Sequence, residues 1–325
     1  MSSAKYPKSE AKSVAREVLQ GAITAPCLPI HPDGEIDEPG LRHDLRHIID
    51  VIGASGLYMN GYYGHFWLLT SEQRRRVVEI AVEEAAGAVP IIARCAHPSP
   101  REAIALAQHA QGLGVDFISL VSPQFGGAHP DALLGYFRTI ADEIDLGITV
   151  FNTVQAGYSI SPEMMAELAE IPNICALKNG MSIAHTIRIR ELVGDSIVVV
   201  DPDEEHFFLN MSQFGQRAIY TGTNAMFDSG KAQPMKDYIA AGLAGDMQLA
   251  ARRYYDLEPV RKMHRRWILE PWEGTGLCPI ARVKYWNELL GMTGGPVPPG
   301  IPAMSQQEKT QMEADLESVG LVPVN

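Results

Sequence analysis

Cysteine and basic charge are both scarce in this sequence, and it has no long apolar run. Among its 325 residues are only four cysteines, Cys27, Cys95, Cys175 and Cys278. They lie far apart, without CxxC or metal-finger spacing, so they predict buried, reduced thiols rather than a disulfide framework or a zinc site. Lys and Arg number 27 against 39 Asp and Glu, a formal net charge of −12. That acidic balance, with no long basic run, argues against nucleic acid or an anionic membrane surface as partner. No stretch approaches the ~20 apolar residues of a membrane span. Residues 1–21 alternate charged and small residues without an apolar core, so they do not read as a signal peptide, and the expected location is cytoplasmic. No histidine–carboxylate group has the spacing of a preformed metal site, and neither metal nor cofactor is expected.

What is present is a composition able to build a large core: 46% hydrophobic and 20% charged residues. From Gly21 to Thr223, short apolar runs alternate with helical patterns. The runs cover residues 22–25, 56–59, 89–93, 117–121, 147–151, 174–178, 196–200 and 217–221. Eight such runs are what a (β/α)8 barrel requires. Consecutive β-branched residues, as in Ile197-Val198-Val199-Val200, suit a parallel sheet covered on both faces. Helix starts are marked by Thr70 with Gln73, by Ser99-Pro100 followed by Glu102, and by Ser161-Pro162. The rival open, doubly wound sheet lacks its GxGxxG after the first strand. Residues 231–290 read as long helices, and a Gly/Pro-rich stretch then leads to a polar helix near 305–318. The fold class is therefore α/β, a (β/α)8 TIM barrel over residues 20–225 with a C-terminal helical region over 226–325.

Catalytic groups of such barrels lie at the C-terminal ends of strands. Lys178 ends the apolar run Ile174-Cys175-Ala176-Leu177. In such surroundings a lysine loses hydration and its pKa falls, so a nucleophilic neutral amine becomes available; position alone also fits a salt-bridged or snorkelling lysine. Gly61-Tyr62-Tyr63-Gly64 is a loop whose glycines would let the backbone turn and aim N–H groups at a carboxylate, or else an ordinary Gly-rich loop. His65, just after it, is a candidate general acid or base. His97 is a weaker one. Asp201-Pro202-Asp203-Glu204-Glu205 reads as a helix N-terminus, Arg74-Arg75-Arg76 as a solvated face, and Trp267 and Trp272 as packing residues.

Taken in order, these pieces resemble the family of dihydrodipicolinate synthases and N-acetylneuraminate lyases. The resemblance runs through Pro32-Asp33-Gly34-Glu35-Ile36-Asp37, the Gly-x-x-Gly loop, and Leu69-Thr70-Ser71-Glu72-Gln73-Arg74. It continues through Ser122-Pro123, Phe151-Asn152, Lys178, Gly222-Thr223-Asn224 and Val297-Pro298-Pro299. It implies a Schiff-base class I aldolase or dehydratase on a (β/α)8 barrel, with Lys178 forming the imine and a homotetramer or homodimer as the assembly. The departures carry information too. The family loop Gly-Thr-Thr-Gly-Glu is here Gly61-Tyr62-Tyr63-Gly64-His65, and the strand-five tyrosine that shuttles protons is Phe151. The tyrosine after the strand-four proline is Phe125, and the arginine that dihydrodipicolinate synthases carry after strand five falls at Ala156.

The function expected is a lyase joining pyruvate or a related 2-oxo acid to an aldehyde, or cleaving the product, through an imine at Lys178. Lys178, Tyr63 and His65 are the catalytic candidates. Tyr62, Tyr63, Phe125, Phe151, Asn152 and Thr221 are the substrate-binding ones. Tyr63 is first in line to replace the missing strand-five hydroxyl. The aromatic residues of the strand-end loops favour an aromatic or apolar acceptor over a sugar acid. A dehydratase or hydratase using the same imine is the alternative. A barrel that binds a 2-oxo acid without turning it over, as a sensor, is the alternative of another class.

Overall fold

The computed structural model describes residues 4–125 and 129–321. Eight strands follow one another: β1 (Gly21–Thr24), β2 (Gly56–Met59), β3 (Ile91–Arg94), β4 (Phe117–Val121), β5 (Gly147–Thr153), β6 (Ile174–Gly180), β7 (Val198–Val200) and β8 (Ala218–Thr221). They form one sheet in the order β7-β6-β5-β4-β3-β2-β1-β8, and the ladders from β2 to β7 are parallel. Helices lie between: α1 (Ala11–Val18) before β1, then α2 (Glu38–Arg46), α3 (Ser71–Ala85), α4 (Pro100–Gly112), α5 (Pro130–Asp142), α6 (Pro162–Ala169), α7 (Ile183–Val193) and α8 (Glu204–Phe214). This is a nearly closed (β/α)8 barrel. The strands are buried almost throughout, as a parallel sheet covered on both faces must be.

Closure between β7 and β8 comes from a side chain in place of a ladder. The Gln216 Nε2 donates to the carbonyls of Asp201 and Ala218, both at 2.9 Å, and its Oε1 accepts from the Asp201 N–H at 3.0 Å. One amide thus satisfies backbone groups that a three-residue β7 leaves open.

Local sequence explains most helix starts. Thr70 and Gln73 close a full capping box on α3, Ser161 accepts from the Met164 N–H, and Asp203 caps α8. Ser99 departs from expectation: its side chain makes no cap bond, and its own N–H donates to His97 Nδ1 at 3.0 Å. β6 also runs two residues past its expected end, through the pairs Asn152↔Asn179 and Thr153↔Gly180. Lys178 therefore sits inside a ladder.

After β8 come α9 (Asn224–Phe227), α10 (Pro234–Leu243), α11 (Met247–Asp256), α12 (Glu258–His264), α13 (Glu270–Thr275), α14 (Ile280–Leu289) and α15 (Gln306–Ser318). Over 231–290, where long helices are expected, α12 continues without a break through a π-helical turn at Arg265–Leu269 into α13, while α10, α11 and α14 are ten residues each. Trp286 is their fully buried centre and donates Nε1–H to the Met226 carbonyl at 2.8 Å. Trp267 donates to Asp315 of α15 at 2.9 Å. By Cα proximity the chain divides into two compact units. The first runs up to Ile23 and takes in Gly56–Met59 and Pro90–Tyr220; the second comprises Thr24–Ser55, Asn60–Val89 and everything from Thr221. Among the described residues, no helix is long and apolar enough to cross a membrane.

Candidate functional site

In the first unit, strand register decides which side chains share the barrel interior. Phe151 on β5 pairs with Lys178 on β6, which pairs with Val200 on β7; Arg94 on β3 pairs with Ser119 on β4. Paired residues of a parallel sheet point to the same face. That face is the inner one, because contacts cross between strands that are not neighbours. The Lys178 Nζ lies 5.2 Å from the Tyr58 ring centroid of β2 and 4.3 Å from that of Phe151. The Tyr58 hydroxyl donates to Ser119 Oγ at 2.9 Å, and Tyr58 stands against Tyr220 of β8 with centroids 6.3 Å apart. The Arg94 guanidinium lies 6.0 Å from the Phe151 centroid.

Lys178 thus lies among aromatic faces, and no ion pair forms at it among the described residues. Burial brings its pKa down to about 7, and the positive charge of Arg94 pushes in the same direction. A large fraction of the amine is then neutral at physiological pH. Its face-on contacts with two rings favour a positive charge at that nitrogen. An amine of this kind attacks a carbonyl carbon; a hydrated, ion-paired lysine does so poorly.

Asn152 lies apart from this cluster. Period two turns it to the opposite face of β5, where its Oδ1 accepts from the Ile160 N–H at 2.8 Å. Its Nδ2 donates to the Ile160 carbonyl and to Asn179 Oδ1. These bonds pin the chain after β5 and leave the amide committed. The Phe125 ring is 79% exposed. His97 holds the start of α4 through its bond from Ser99 and accepts the Tyr136 hydroxyl at its carbonyl.

The second unit holds the Gly61–Gly64 loop and its neighbours. The left-handed backbone of this loop falls on the residues flanking the two glycines: Asn60 has φ 58° and His65 φ 37°. The Asn60 Nδ2 donates to the Arg74 carbonyl at 3.0 Å, which holds the turn against α3. Asparagine tolerates this region better than most residues do. His65 is buried, with Nε2 at 3.3 Å from the Leu28 carbonyl, and the Lys284 Nζ donates to that same carbonyl at 2.7 Å. Burial, assisted by the Lys284 charge, pulls the imidazole pKa down to about 4. A ring that stays neutral and serves a buried carbonyl fixes the loop; the general acid or base considered from sequence needs a proton exchange near neutrality, which this environment disfavours.

Tyr62 makes edge contacts with Phe66 at 5.6 Å and Trp272 at 5.7 Å, and a tilted one with Trp67 at 6.1 Å. Tyr63 also faces Trp272, at 6.2 Å. Its ring lies so close to Gly222 that a Cβ there would fall on its Cδ2 and Cε2 atoms. Burial raises the phenol pKa well above its usual value, with the Cys278 and Cys27 thiols adding to the effect. Thr221 Oγ1 pairs with Thr223 Oγ1 at 2.8 Å and accepts from the Thr223 N–H. Tyr58 and Ser119 are residues that sequence reasoning passed over, and Arg94 and Tyr220, which stand at strand ends, received no role from it. Their alternation with apolar neighbours was readable, but an isolated tyrosine or arginine in a short apolar run carries no mark of what it faces. Among the described residues, no group of three or more His, Cys, Asp or Glu could hold a metal ion.

Comparison with known proteins adds to this geometry. The sequence pattern of the dihydrodipicolinate synthetase family matches residues 18–319. The chain is 29% identical over 297 residues to the 4-hydroxy-tetrahydrodipicolinate synthase of Methanothrix thermoacetophila, covering 91% of this chain and 95% of that one. It is 31% identical over 188 residues to the N-acetylneuraminate lyase of Clostridium perfringens, covering 57% of this chain and 65% of that one. The crystal structure of dihydrodipicolinate synthase from Aquifex aeolicus superposes with a TM-score of 0.81 at 26% identity, over 94% of this chain and all of that one. The chain belongs to the dihydrodipicolinate synthetase family, whose named members here are lyases and synthases on this barrel.

Proposed function

We propose that this protein is a class I lyase that joins a 2-oxo acid, pyruvate or a close relative, to an aldehyde, or cleaves the product. The observation that carries this reading is Lys178, an amine lowered to about pH 7 among aromatic faces of the barrel interior. Its neutral Nζ adds to the keto carbon, and loss of water leaves a protonated imine. That cation withdraws electrons. A proton then leaves C3, giving an enamine whose C3 forms the new bond to the aldehyde carbon while the aldehyde oxygen takes up a proton. Hydrolysis of the imine frees product and lysine. Run backwards, the same steps break the C3–C4 bond of a 4-hydroxy-2-oxo acid.

With Phe151 where a hydroxyl would serve, another group must carry the proton to the aldehyde oxygen. We assign this to the Tyr63 hydroxyl, and the substrate carboxylate to the N–H groups of Tyr62 and Tyr63, with Thr221 and the Phe151 ring as further contacts. The cluster of Tyr62, Tyr63, Phe66 and Trp272 supports an aromatic or apolar acceptor. A specific observation favours a competitor for the relay: the Tyr58 hydroxyl, on the ring that Lys178 faces, is already in a hydrogen bond to Ser119. The deciding experiment incubates the protein with pyruvate and borohydride and maps the adduct by mass spectrometry. A reduced adduct on Lys178, with turnover of at least one aldehyde from a broad panel, is the expected result. No adduct removes the reading, and an adduct without turnover makes the protein a 2-oxo-acid binder. A homo-oligomer is expected, so light scattering should give a mass well above the 35.6 kDa of one chain.

A further inference from the structure

At the end of the barrel opposite the strand ends that carry Lys178, the seam between β7 and β8 opens into a cavity of about 430 Å³. The imine chemistry leaves it without a role. It lies at the N-terminal ends of the two strands, bounded by the last turns of α1, α7 and α8, all within the first unit. Three arginines, Arg16, Arg190 and Arg217, line it against a single carboxylate, Asp195. In a chain with 39 acidic residues to 27 basic ones, that local excess of positive charge runs against the composition. Arg190, half-buried, forms the floor. Its Nη1 donates to Asn210 Oδ1 at 2.5 Å and its Nη2 to Gln216 Oε1 at 2.6 Å, and its guanidinium carbon lies 5.0 Å from the Phe214 ring centroid. Both acceptors are neutral amides, which fix the planar fork without cancelling its charge. Arg16 and Arg217 are exposed and likewise reach neutral oxygens, the Asp195 carbonyl at 2.5 Å and Gln20 Oε1 at 3.1 Å. None of the three makes an ion pair among the described residues, whereas Arg42, Arg76 and Arg188 each have one.

We infer that this cavity is a second binding site, for a small organic anion of two or more negative charges whose carboxylate or phosphoryl oxygens are received by Arg16, Arg190 and Arg217. Guanidinium forks match such oxygens in pairs of parallel hydrogen bonds. Like charges gathered round one small space repel each other until an anion enters it. The volume falls in the range that encloses a small molecule, and Leu19, Ile197 and Phe214 give its carbon skeleton an apolar wall. Burial lowers the Arg190 pKa to about 10 against the attraction of Asp201, which leaves a cation at neutral pH short of compensating charge. Arginines that only tied helix ends to the seam would account for each hydrogen bond, but not for the open volume between them. The site is independent of the reading of Lys178.

The test titrates citrate and, separately, inorganic pyrophosphate into the full chain by calorimetry at roughly 0.1 M salt, with acetate as the singly charged comparison. At least one of the two should bind with a Kd of about 1 mM or tighter, and acetate about 10-fold more weakly or not at all. Tighter binding of citrate assigns the site to carboxylates, and tighter binding of pyrophosphate to phosphoryl groups. Arg16→Gln and Arg217→Gln, both at exposed positions, should each weaken the better ligand by about 3-fold or more, and the double variant by about 10-fold. Arg253→Gln, which removes the same charge from the exposed surface of α11, should leave the affinity within about 2-fold. No binding of either polyanion overturns the inference. Equal affinity in wild-type protein and the double variant places the anion elsewhere and overturns it too. So does a loss in Arg253→Gln as large as that in the double variant, which would reduce the effect to net charge.

Discussion

The barrel interior around Lys178 and the aromatic cluster around Tyr63 solve opposite problems. The first places two cations, Lys178 and Arg94, against the Phe151 ring, and burial and repulsion lower the pKa of the lysine. The second gathers Tyr62, Tyr63, Phe66, Trp67 and Trp272 into edge and tilted ring contacts over a loop whose turn residues are Asn60 and His65. The contrast teaches that strand register brings distant residues face to face in a buried interior, while the aromatic cluster comes from a loop meeting a helix far along the chain.

The largest expected effect breaks the first region outright. Lys178→Ala should abolish borohydride trapping and reduce turnover to background; a variant that retains either would move the chemistry to another residue. Next comes the choice between the regions for the proton relay. General acid–base groups contribute about 10²–10⁴-fold in rate, so Tyr63→Phe should lower turnover at least ~100-fold while trapping at Lys178 survives. If Tyr58→Phe shows that loss and Tyr63→Phe does not, the relay belongs to the lysine's own region. Gly222→Ala should mimic Tyr63→Phe, because its new methyl occupies the space of the Tyr63 ring; unchanged activity would detach that ring from catalysis.

pH sharpens the same comparison. The Lys178 pKa is lowered to about 7, so the rate of imine formation should rise with pH through about 7 and level off above it. A midpoint near 10 would show a hydrated lysine. His65, held at about 4, should add no inflection between pH 5 and 8. The lowered lysine has a linked stability consequence. The unfolded chain takes up the proton first, so Lys178 costs stability as pH falls from its ordinary range toward 7, and the cost is complete below that. Lys178→Met should therefore raise Tm at neutral pH, and the gain should shrink as pH rises toward the lysine's ordinary range.

The smallest effect tests the loop turn. Asn60→Ala loses both the left-handed tolerance and the bond to the Arg74 carbonyl, which should cost about 2 kcal/mol in denaturant unfolding. A change below about 0.5 kcal/mol would mean the turn is held by its neighbours.

Much of this was legible in the residues alone. Eight apolar runs at regular spacing, Thr70 with Gln73, and Ser161-Pro162 announced the barrel and its helix starts, because strand burial and capping are local and leave a local pattern. Lys178 at the polar end of such a run marked a buried lysine of lowered pKa, which is where the structure has it. The sequence also held Asn60, but the eye goes to Gly61 and Gly64, since glycine is the usual bearer of positive φ. It held Asn152 beside Phe151, and only the two-residue period of β5 separates them into opposite faces.

By itself, then, the sequence determined the fold class, the helix boundaries at capped ends and the lysine, all of which depend on residues within a few positions of one another. Tertiary structure alone decided that Arg94 shares the Phe151 ring with Lys178, that Tyr58 faces the amine, and that Trp272 meets Tyr62 across some 210 residues of chain. The physical reason is that a strand's register and a loop's packing partner are set by the burial of the whole core, and no short window of sequence contains that sum.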